Sequence, residues 1–415
     1  MAKKGFDNFI KLILKFSTPL SSVILMILGS AYFTTFVSVY LNSHGYSKGE
    51  IGIVQSAFYL GMLLGAFPME NVIKRVGHVQ ALAVFGSVAT TSTLLLGLFP
   101  SLIPWVVLRF LNGVSLAALY IVIESWMLYH SSIKTRGTVL SLYMIALYLS
   151  QAASQQILSF IDLDSLMPYI LSAVFTSLSI IPVGLSTNKI RLPDNEESMS
   201  LKKLMKISPF GFAGCVISGL ALSAVYTFFP IFAVSRDVLS ANLMSVTILG
   251  GVLLQWPLGK LSDYFERRKT LLGVVVLALV LSLVGFAYTG NDPYLVLAYS
   301  FLFGGFVFTL YPLSITQVCD HLDESYITVA TALLLVAYGI GSVTGPVISS
   351  YFIGFLGVGS LFIYFALILG ALACVGTYSM ILRPVVPLED QGDYVPLPNV
   401  TPIAYEMDPR GENAE

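Results

Sequence analysis

Two charges stand inside otherwise apolar runs of this sequence, Arg109 and Glu124. A charge at the centre of a bilayer costs at least about 2.5 kcal/mol on insertion scales, so such residues are usually kept for a purpose. Arg109 suits the binding of a substrate anion, or the tuning of a nearby proton-carrying carboxylate. Its alternative is structural: hydrogen bonds to backbone carbonyls or to Gln151, Gln155 or Gln156. Glu124 suits a proton-coupling site, because a carboxylate withdrawn from water can take up and release a proton. Its alternative is an ion pair with Lys134 or Arg136 that closes one end of the protein. The two charges are fifteen residues apart, ~22 Å along a helix, so they do not pair with each other. Asn112 lies one turn from Arg109. Gln151 and Gln155 share a helix face at i and i+4, either lining a polar cavity or joining helices. Tyr32, Tyr226 and Tyr311 offer hydrogen-bonding rings for a cavity, or simple packing.

Little else could do chemistry. His44, His78, His130 and His321 fall in loops or at the ends of apolar runs. No catalytic triad and no phosphate-binding Gly-x-x-x-x-Gly-Lys-Ser/Thr loop is legible. Cys215, Cys319 and Cys374 lack metal-ligand spacing and read as small hydrophobes. No cofactor, metal or nucleic-acid partner is expected, since the net charge of -1 comes without a basic stripe.

The elements that position these residues are membrane helices. Hydrophobic residues make up 56% of the 415 and charged residues 11%, where a soluble domain carries about 25% charged. Mean hydropathy is +0.82. Twelve runs are long enough to span hydrocarbon: 19–41, 51–69, 79–98, 103–128, 139–160 and 168–185, then 211–234, 243–258, 271–288, 293–318, 327–352 and 359–382. With this count, Lys48 and Arg236 fall on one side, Arg109 within a span, and all the rest of the 22 basic residues on the other side. By the positive-inside rule both termini are cytoplasmic. The polar stretch 187–208 divides the chain into bundles 19–186 and 209–382, flanked by a cytoplasmic segment 1–18 and a tail 383–415. Within the first segment, residues 6–16 read either as an amphipathic helix on the membrane surface or as a short solvated tail. The tail is acidic and rich in proline, and reads as irregular and cytoplasmic. Gly341, Gly345 and Pro346 permit close helix approach or helix flexing.

Several motifs carry a family resemblance. The connection after the eighth run, Gly259-Lys-Leu-Ser-Asp263-Tyr-Phe-Glu-Arg267-Arg268-Lys269, resembles the signature loop of the major facilitator superfamily. Its first-half counterpart reads Lys74-Arg75-Val76-Gly77-His78, with Lys74 where the family usually has aspartate. Arg109-Phe-Leu-Asn112-Gly113 is similar to the arginine motif of the family's fourth helix. Gly341-Ser-Val-Thr-Gly345-Pro346 resembles the Gly-Pro motif of the antiporters, there in the fifth span and here in the eleventh. Ile123-Glu124-Ser125-Trp126 with Arg136-Gly137, and the tail segments Tyr394-Val-Pro-Leu-Pro and Met407-Asp408-Pro409-Arg410, resemble the bacterial YcaD-like branch. The resemblance implies an all-α fold of two pseudo-symmetric six-helix bundles, with the first, fourth, seventh and tenth helices lining a central cavity. It also implies a gating role for Gly259, Asp263, Arg267, Arg268, Arg75, Gly77 and Arg136, with Asp263 pairing a cation across the gap between bundles. The alternative is that the basic residues only set topology.

The expected function is secondary transport of a weakly polar or anionic organic solute by alternating access, proton-coupled, with export placed first. Import by proton symport is the second reading. A membrane sensor signalling through the tail is a third, of a different class. No enzymatic activity is expected, and the chain reads as a monomer.

Overall fold

The computed structural model describes residues 10–185, 199–382, 384, 386–408 and 410. Among the described residues, twelve helices are long and apolar enough to cross a membrane. In the first half they are α1 (Ser17–Ser43), α2 (Lys48–Val76), α3 (His78–Leu98), α4 (Leu102–His130), α5 (Ile133–Gln155) and α6 (Met167–Gly184). In the second half they are α7 (Pro209–Ser235), α8 (Ser240–Tyr264), α9 (Arg267–Ala287), α10 (Pro293–Cys319), α11 (Ile327–Leu356) and α12 (Leu361–Leu382). A short helix Leu201–Ile207 precedes α7; the rest of the stretch 187–208 lies largely outside the described residues.

Helices dominate because hydrocarbon cannot satisfy backbone N–H and C=O groups, whereas a helix satisfies them internally. Local signals set several ends. Ser47 and Glu50 form a reciprocal capping box at the start of α2, and Asp292 accepts from the backbone N–H groups of Tyr294 and Leu295 to start α10. Gly77, at φ +90°, is the single residue between α2 and α3, a left-handed turn that suits glycine. Two helices run further than apolarity alone suggests. α2 continues through Lys74 and Arg75 to Val76, and α8 through Lys260 and Asp263 to Tyr264. Charged residues are compatible with helix once it leaves the hydrocarbon. The stretch from Gly259 to Tyr264, read from sequence as a loop, is therefore the last turns of α8, and only Phe265 and Glu266 connect it to α9.

The two halves repeat one packing scheme. In the first, α2 packs on α4, α3 on α4 and α6, and α1 on α5 and α6; in the second, α8 packs on α10, α9 on α10 and α12, and α7 on α11 and α12. Glycines set the tightest of these contacts. A Cβ on Gly113 (α4) would lie 2.1 Å from the Phe58 carbonyl oxygen (α2), and one on Gly304 (α10) 2.1 Å from that of Thr247 (α8). Gly219 and Gly341 do the same for α7 and α11, at 2.0 Å from Tyr338 O and 2.1 Å from Val216 O. Without a hydrophobic force between helices in lipid, such close approach is what holds them together. Gly345 continues the seam, with Leu220 O 2.6 Å from its Cβ position. In this conformation Gly341 and Gly345 serve close packing.

Between halves, the close backbone contacts lie at the end of the bundle away from the Lys/Arg-bearing turns. There α2 meets α11, with Pro346 O 2.7 Å from the Cβ position of Gly52. On the other flank Gln156 donates to Ser245 Oγ (2.8 Å), and Ser245 donates to the Ala152 carbonyl (2.8 Å), joining the end of α5 to the start of α8. Toward the basic face the halves diverge.

A valine at Gly341 must push α11 off the α7 backbone, whereas at Gly273 nothing lies within 4 Å of the Cβ position. Overpacking costs about 1–3 kcal/mol. Gly341→Val is expected to lower the melting temperature of the detergent-solubilised protein by several degrees, and Gly273→Val to leave it within a degree.

Candidate functional site

The buried guanidinium of Arg109 is the hub of a polar network in the first half. Its Nη2 donates to Gln55 Oε1 (2.8 Å), and Gln55 Nε2 donates to the Thr34 carbonyl (2.9 Å) and to Ser38 Oγ (2.8 Å). Arg109 Cζ lies 4.2 Å from the Phe58 ring centroid, a cation–π contact. Helices α1, α2 and α4 are thus tied through one glutamine. The structural reading of Arg109 from sequence offered backbone carbonyls or the glutamines of α5; the structure gives Gln55 on α2, because Arg109 and Gln55 sit on the glycine-packed α2–α4 seam. Asn112 turns the other way, donating to Thr93 Oγ1 (3.0 Å) on α3.

Between the halves lies a cavity of about 410 Å³, reaching from the middle of the helices toward the basic face. Phe58, Tyr59, Tyr120, Tyr148, Tyr226, Phe308 and Tyr338 give it an aromatic wall, and Ser30, Thr34, Gln151, Ser342 and Asn399 supply polar groups. Its size falls in the range of small-molecule sites. Among the described lining residues, Glu406 is the only side chain with a formal charge. Arg109 does not line it. Of the residues expected there from sequence, Gln151 and Tyr226 do. Tyr32 instead donates to the Pro168 carbonyl (2.6 Å) against α6, and Gln155 Nε2 reaches the Gln151 carbonyl (3.4 Å). The expectation that α1, α4, α7 and α10 form the wall holds only in part, since α2, α5 and α11 contribute much of it.

Glu124 sits fully buried near the basic end of α4. Tyr143 of α5 donates to its Oε1 (2.5 Å), the Thr401 hydroxyl to its Oε2, and the Ala404 backbone N–H also reaches it. Its partners are hydroxyl and amide groups rather than Lys134 or Arg136, so the ion-pair reading is corrected. Arg136 points to the tail, its Nη1 donating to the Glu406 carbonyl (3.4 Å).

The tail was the least legible part. Over its described residues the backbone is irregular apart from two short turns, Leu388–Asp390 and Pro402–Met407, yet this stretch is packed between the halves. Leu397, Thr401, Ala404, Tyr405 and Met407 are 0–1% exposed. Tyr405 shares a hydrogen bond with Tyr311 of α10, so Tyr311 faces the tail rather than the cavity, and Asn399 donates to the Tyr338 hydroxyl (2.5 Å). Burial pulls the Arg410 guanidinium toward its neutral form, but Asp408, 2.6 Å away, more than offsets this and keeps it charged.

The signature residues of the second half hold this tail. Asp263 accepts from Lys260 (3.0 Å), Arg267 (3.0 Å) and the Tyr394 backbone N–H (2.8 Å). Arg267 is bonded to Asp320 and donates to the Gly392 carbonyl (2.7 Å), and Arg268 to that of Pro384 (2.5 Å). Burial pushes the Asp320 carboxyl up, against the pull of Arg267. All these partners belong to the second half and its tail, so the expected pairing of Asp263 across the gap is corrected. Gly259 faces the Tyr394 ring, 2.2 Å from its Cβ position. In the first half Arg75 is exposed and Gly77 forms the turn between helices. Among the described residues no group of three metal-ligating side chains converges.

Sequence reasoning missed Gln55, Tyr59, Tyr120, Tyr148, Tyr338, Asn399 and Thr401. Gln55 carried a signal, as a glutamine deep in an apolar run. The tail's signal was its repeated Tyr, Val, Leu and Ile between prolines.

Two six-helix halves that repeat one packing scheme around a central cavity define the architecture of a membrane transporter. The family model described as Major Facilitator Superfamily matches residues 20–246 and 232–394, and the chain belongs to that superfamily. It is 28% identical over 334 residues to an Escherichia coli O17:K52:H18 (strain UMN026 / ExPEC) protein named as an uncharacterized MFS-type transporter, YcaD; the match covers 79% of this chain and 86% of that one. Among solved structures, the nucleoside transporter NupG superposes with a TM-score of 0.74 at 15% identity, covering 89% of this chain and 100% of its own. A bacterial homolog of the human lysosomal transporter Spinster, inward-facing and occupied, gives 0.71 at 14% identity, covering 91% and 98%. These two likenesses concern the fold.

Arg109→Gln leaves the Gln55 carbonyl oxygen without its donor and removes the cation from Phe58. Orphaning a buried polar atom costs about 1–3 kcal/mol. The variant is expected to melt several degrees lower, and Arg109→Lys in between, because a lysine lacks the planar guanidinium. Thermal unfolding followed by tryptophan fluorescence measures this.

Proposed function

We propose that this transporter carries an uncharged, ring-bearing organic solute of low polarity across the bacterial inner membrane, exchanging a proton at Glu124. The observation that carries the reading is the cavity wall, where aromatic rings alternate with hydroxyl and amide groups and Arg109 stands outside. Such a lining stacks on a ring and satisfies a few hydrogen bonds, and among its described residues the one charge, Glu406, comes from the tail rather than from a spanning helix. The anionic solute expected from the sequence loses its support, since its cation is engaged with Gln55.

The distribution of Lys and Arg supports a cytoplasmic basic face and cytoplasmic termini. In that orientation the halves are closed toward the outside and apart toward the cytoplasm, one of the two end states that alternating access requires. Glu124 supports proton coupling by its place. It is a fully buried carboxyl at the divide between the halves, held by hydroxyl and amide donors from α5 and the tail. The groups holding it change when the basic face rearranges, which is what links a proton to a conformational step. The glycine seams within each half support rigid-body rocking of one half against the other.

Metabolite profiling tests this. Cells overproducing the wild-type chain are compared with cells producing Gln151→Ala and Glu124→Gln, with cytosol and medium measured separately and a nucleoside included in the panel. The reading expects one or more neutral ring compounds to shift between compartments with the wild type only, at least threefold, and the sign of the shift gives the direction. Collapsing the proton gradient should abolish that shift. A wild-type shift of organic anions alone would contradict the proposed substrate class.

A further inference from the structure

We propose that residues 392–408 are a built-in plug, an autoinhibitory segment that blocks solute passage and locks the two halves apart at the basic face. The proposal deepens the transport reading and rests on it for its consequence on flux.

The plug is bound on both sides. To the first half it gives the Thr401 hydroxyl and Ala404 N–H on Glu124 and the Glu406 carbonyl on Arg136. To the second half it gives the Tyr394 N–H on Asp263, the Gly392 carbonyl on Arg267, Asn399 on Tyr338 and Tyr405 on Tyr311. Between these anchors Leu397, Ile403, Ala404 and Met407 are buried. Asn399, Val400, Pro402, Ile403 and Glu406 line the cavity itself.

Two steps of a transport cycle are blocked by this arrangement. A solute in the cavity meets the plug on its way to the basic face. The ends of α4, α5, α10 and α11 cannot approach one another to close that face, because the plug fills the space between them. The docked tail therefore stabilises one end state and obstructs both exits from it, and flux through the full-length chain runs through the fraction of molecules whose tail is undocked. Any ligand that binds the undocked tail better than the docked one would shift the population toward the working form. The short tether from Leu382 to Gly392 keeps the local concentration of the plug high, so docking needs no strong single contact.

Gly259 adds an independent argument. It stands mid-helix, where its lack of a side chain serves no turn, and the space it vacates is filled by the Tyr394 ring. A side chain there would evict Tyr394 while leaving the tail sequence intact.

The test reads access to the cavity, so it needs no identified solute. Ser30, half-buried on the cavity wall, is replaced by cysteine in a chain with Cys374→Ala; Cys215 and Cys319 are buried. In inverted membrane vesicles a membrane-impermeant, negatively charged maleimide is applied, and labelling of the chain without Ser30→Cys is subtracted. Three forms are compared: full length, truncated after Leu388, and full length with Gly259→Leu. The plug predicts labelling at least tenfold faster on truncation and at least threefold faster with Gly259→Leu. Rates within twofold in all three overturn it. Faster labelling in a truncated chain that moves none of the compounds of the metabolite panel would sink the transport reading and leave the plug standing. Solute flux with unchanged labelling would do the reverse.

Discussion

Hydrocarbon offers no hydrogen bonds, so a polar group carried into the bilayer is stabilised by a partner within the protein. Two buried groups show how far this constraint reaches. Arg109 draws Gln55 to it, and through Gln55 the backbone of α1, so three helices of the first half are fixed by one chain of bonds. Glu124 draws Tyr143 from α5 and Thr401 from the tail, a residue 277 positions away in sequence. The first network lies within one half and stiffens it. The second lies at the divide between halves and depends on where the tail is.

That difference gives the molecule its asymmetry. At one face the halves touch directly, through the Gly52–Pro346 approach and the Gln156–Ser245 bond. Small residues make such contacts close but separable, since few interlocking side chains need to move. At the basic face the halves meet through the tail. The signature residues Asp263 and Arg267, which the sequence suggested as a gate across the gap, act here on the tail's backbone. A loop motif and a C-terminal segment far apart in sequence thus form one structural unit at the mouth of the cavity.

The helices were legible because each spans about twenty apolar residues, and a miscount would have inverted the distribution of every later lysine and arginine. Helix ends beyond the hydrocarbon were less so: nothing in Lys260-Leu-Ser-Asp263 stops a helix, yet hydropathy alone placed its end earlier. The charged residues could be found but not their partners. Gln55 is 54 residues from Arg109, and only the packing of α2 on α4 brings them together. The tail misled for a compositional reason. Its prolines and acids match the profile of unstructured chain, which hides that Tyr394, Leu397, Ile403, Tyr405 and Met407 form an apolar surface when the backbone winds between the halves. Periodicity cannot reveal such a surface, because the segment has neither helix nor strand period.

The central claim is that two rigid halves rock about the central cavity, closing one face as the other opens. Pulsed electron paramagnetic resonance between spin labels tests it most directly, in the chain truncated after Leu388 and reconstituted in lipid. One pair replaces Lys134 and Asp323, exposed at the basic face of each half, and the other replaces Phe160 and Tyr294, exposed at the opposite face. The account predicts two distance populations for each pair, with the shorter basic-face distance rising in step with the longer opposite-face distance as pH is changed. A single distance at both faces, fixed across pH, would contradict it.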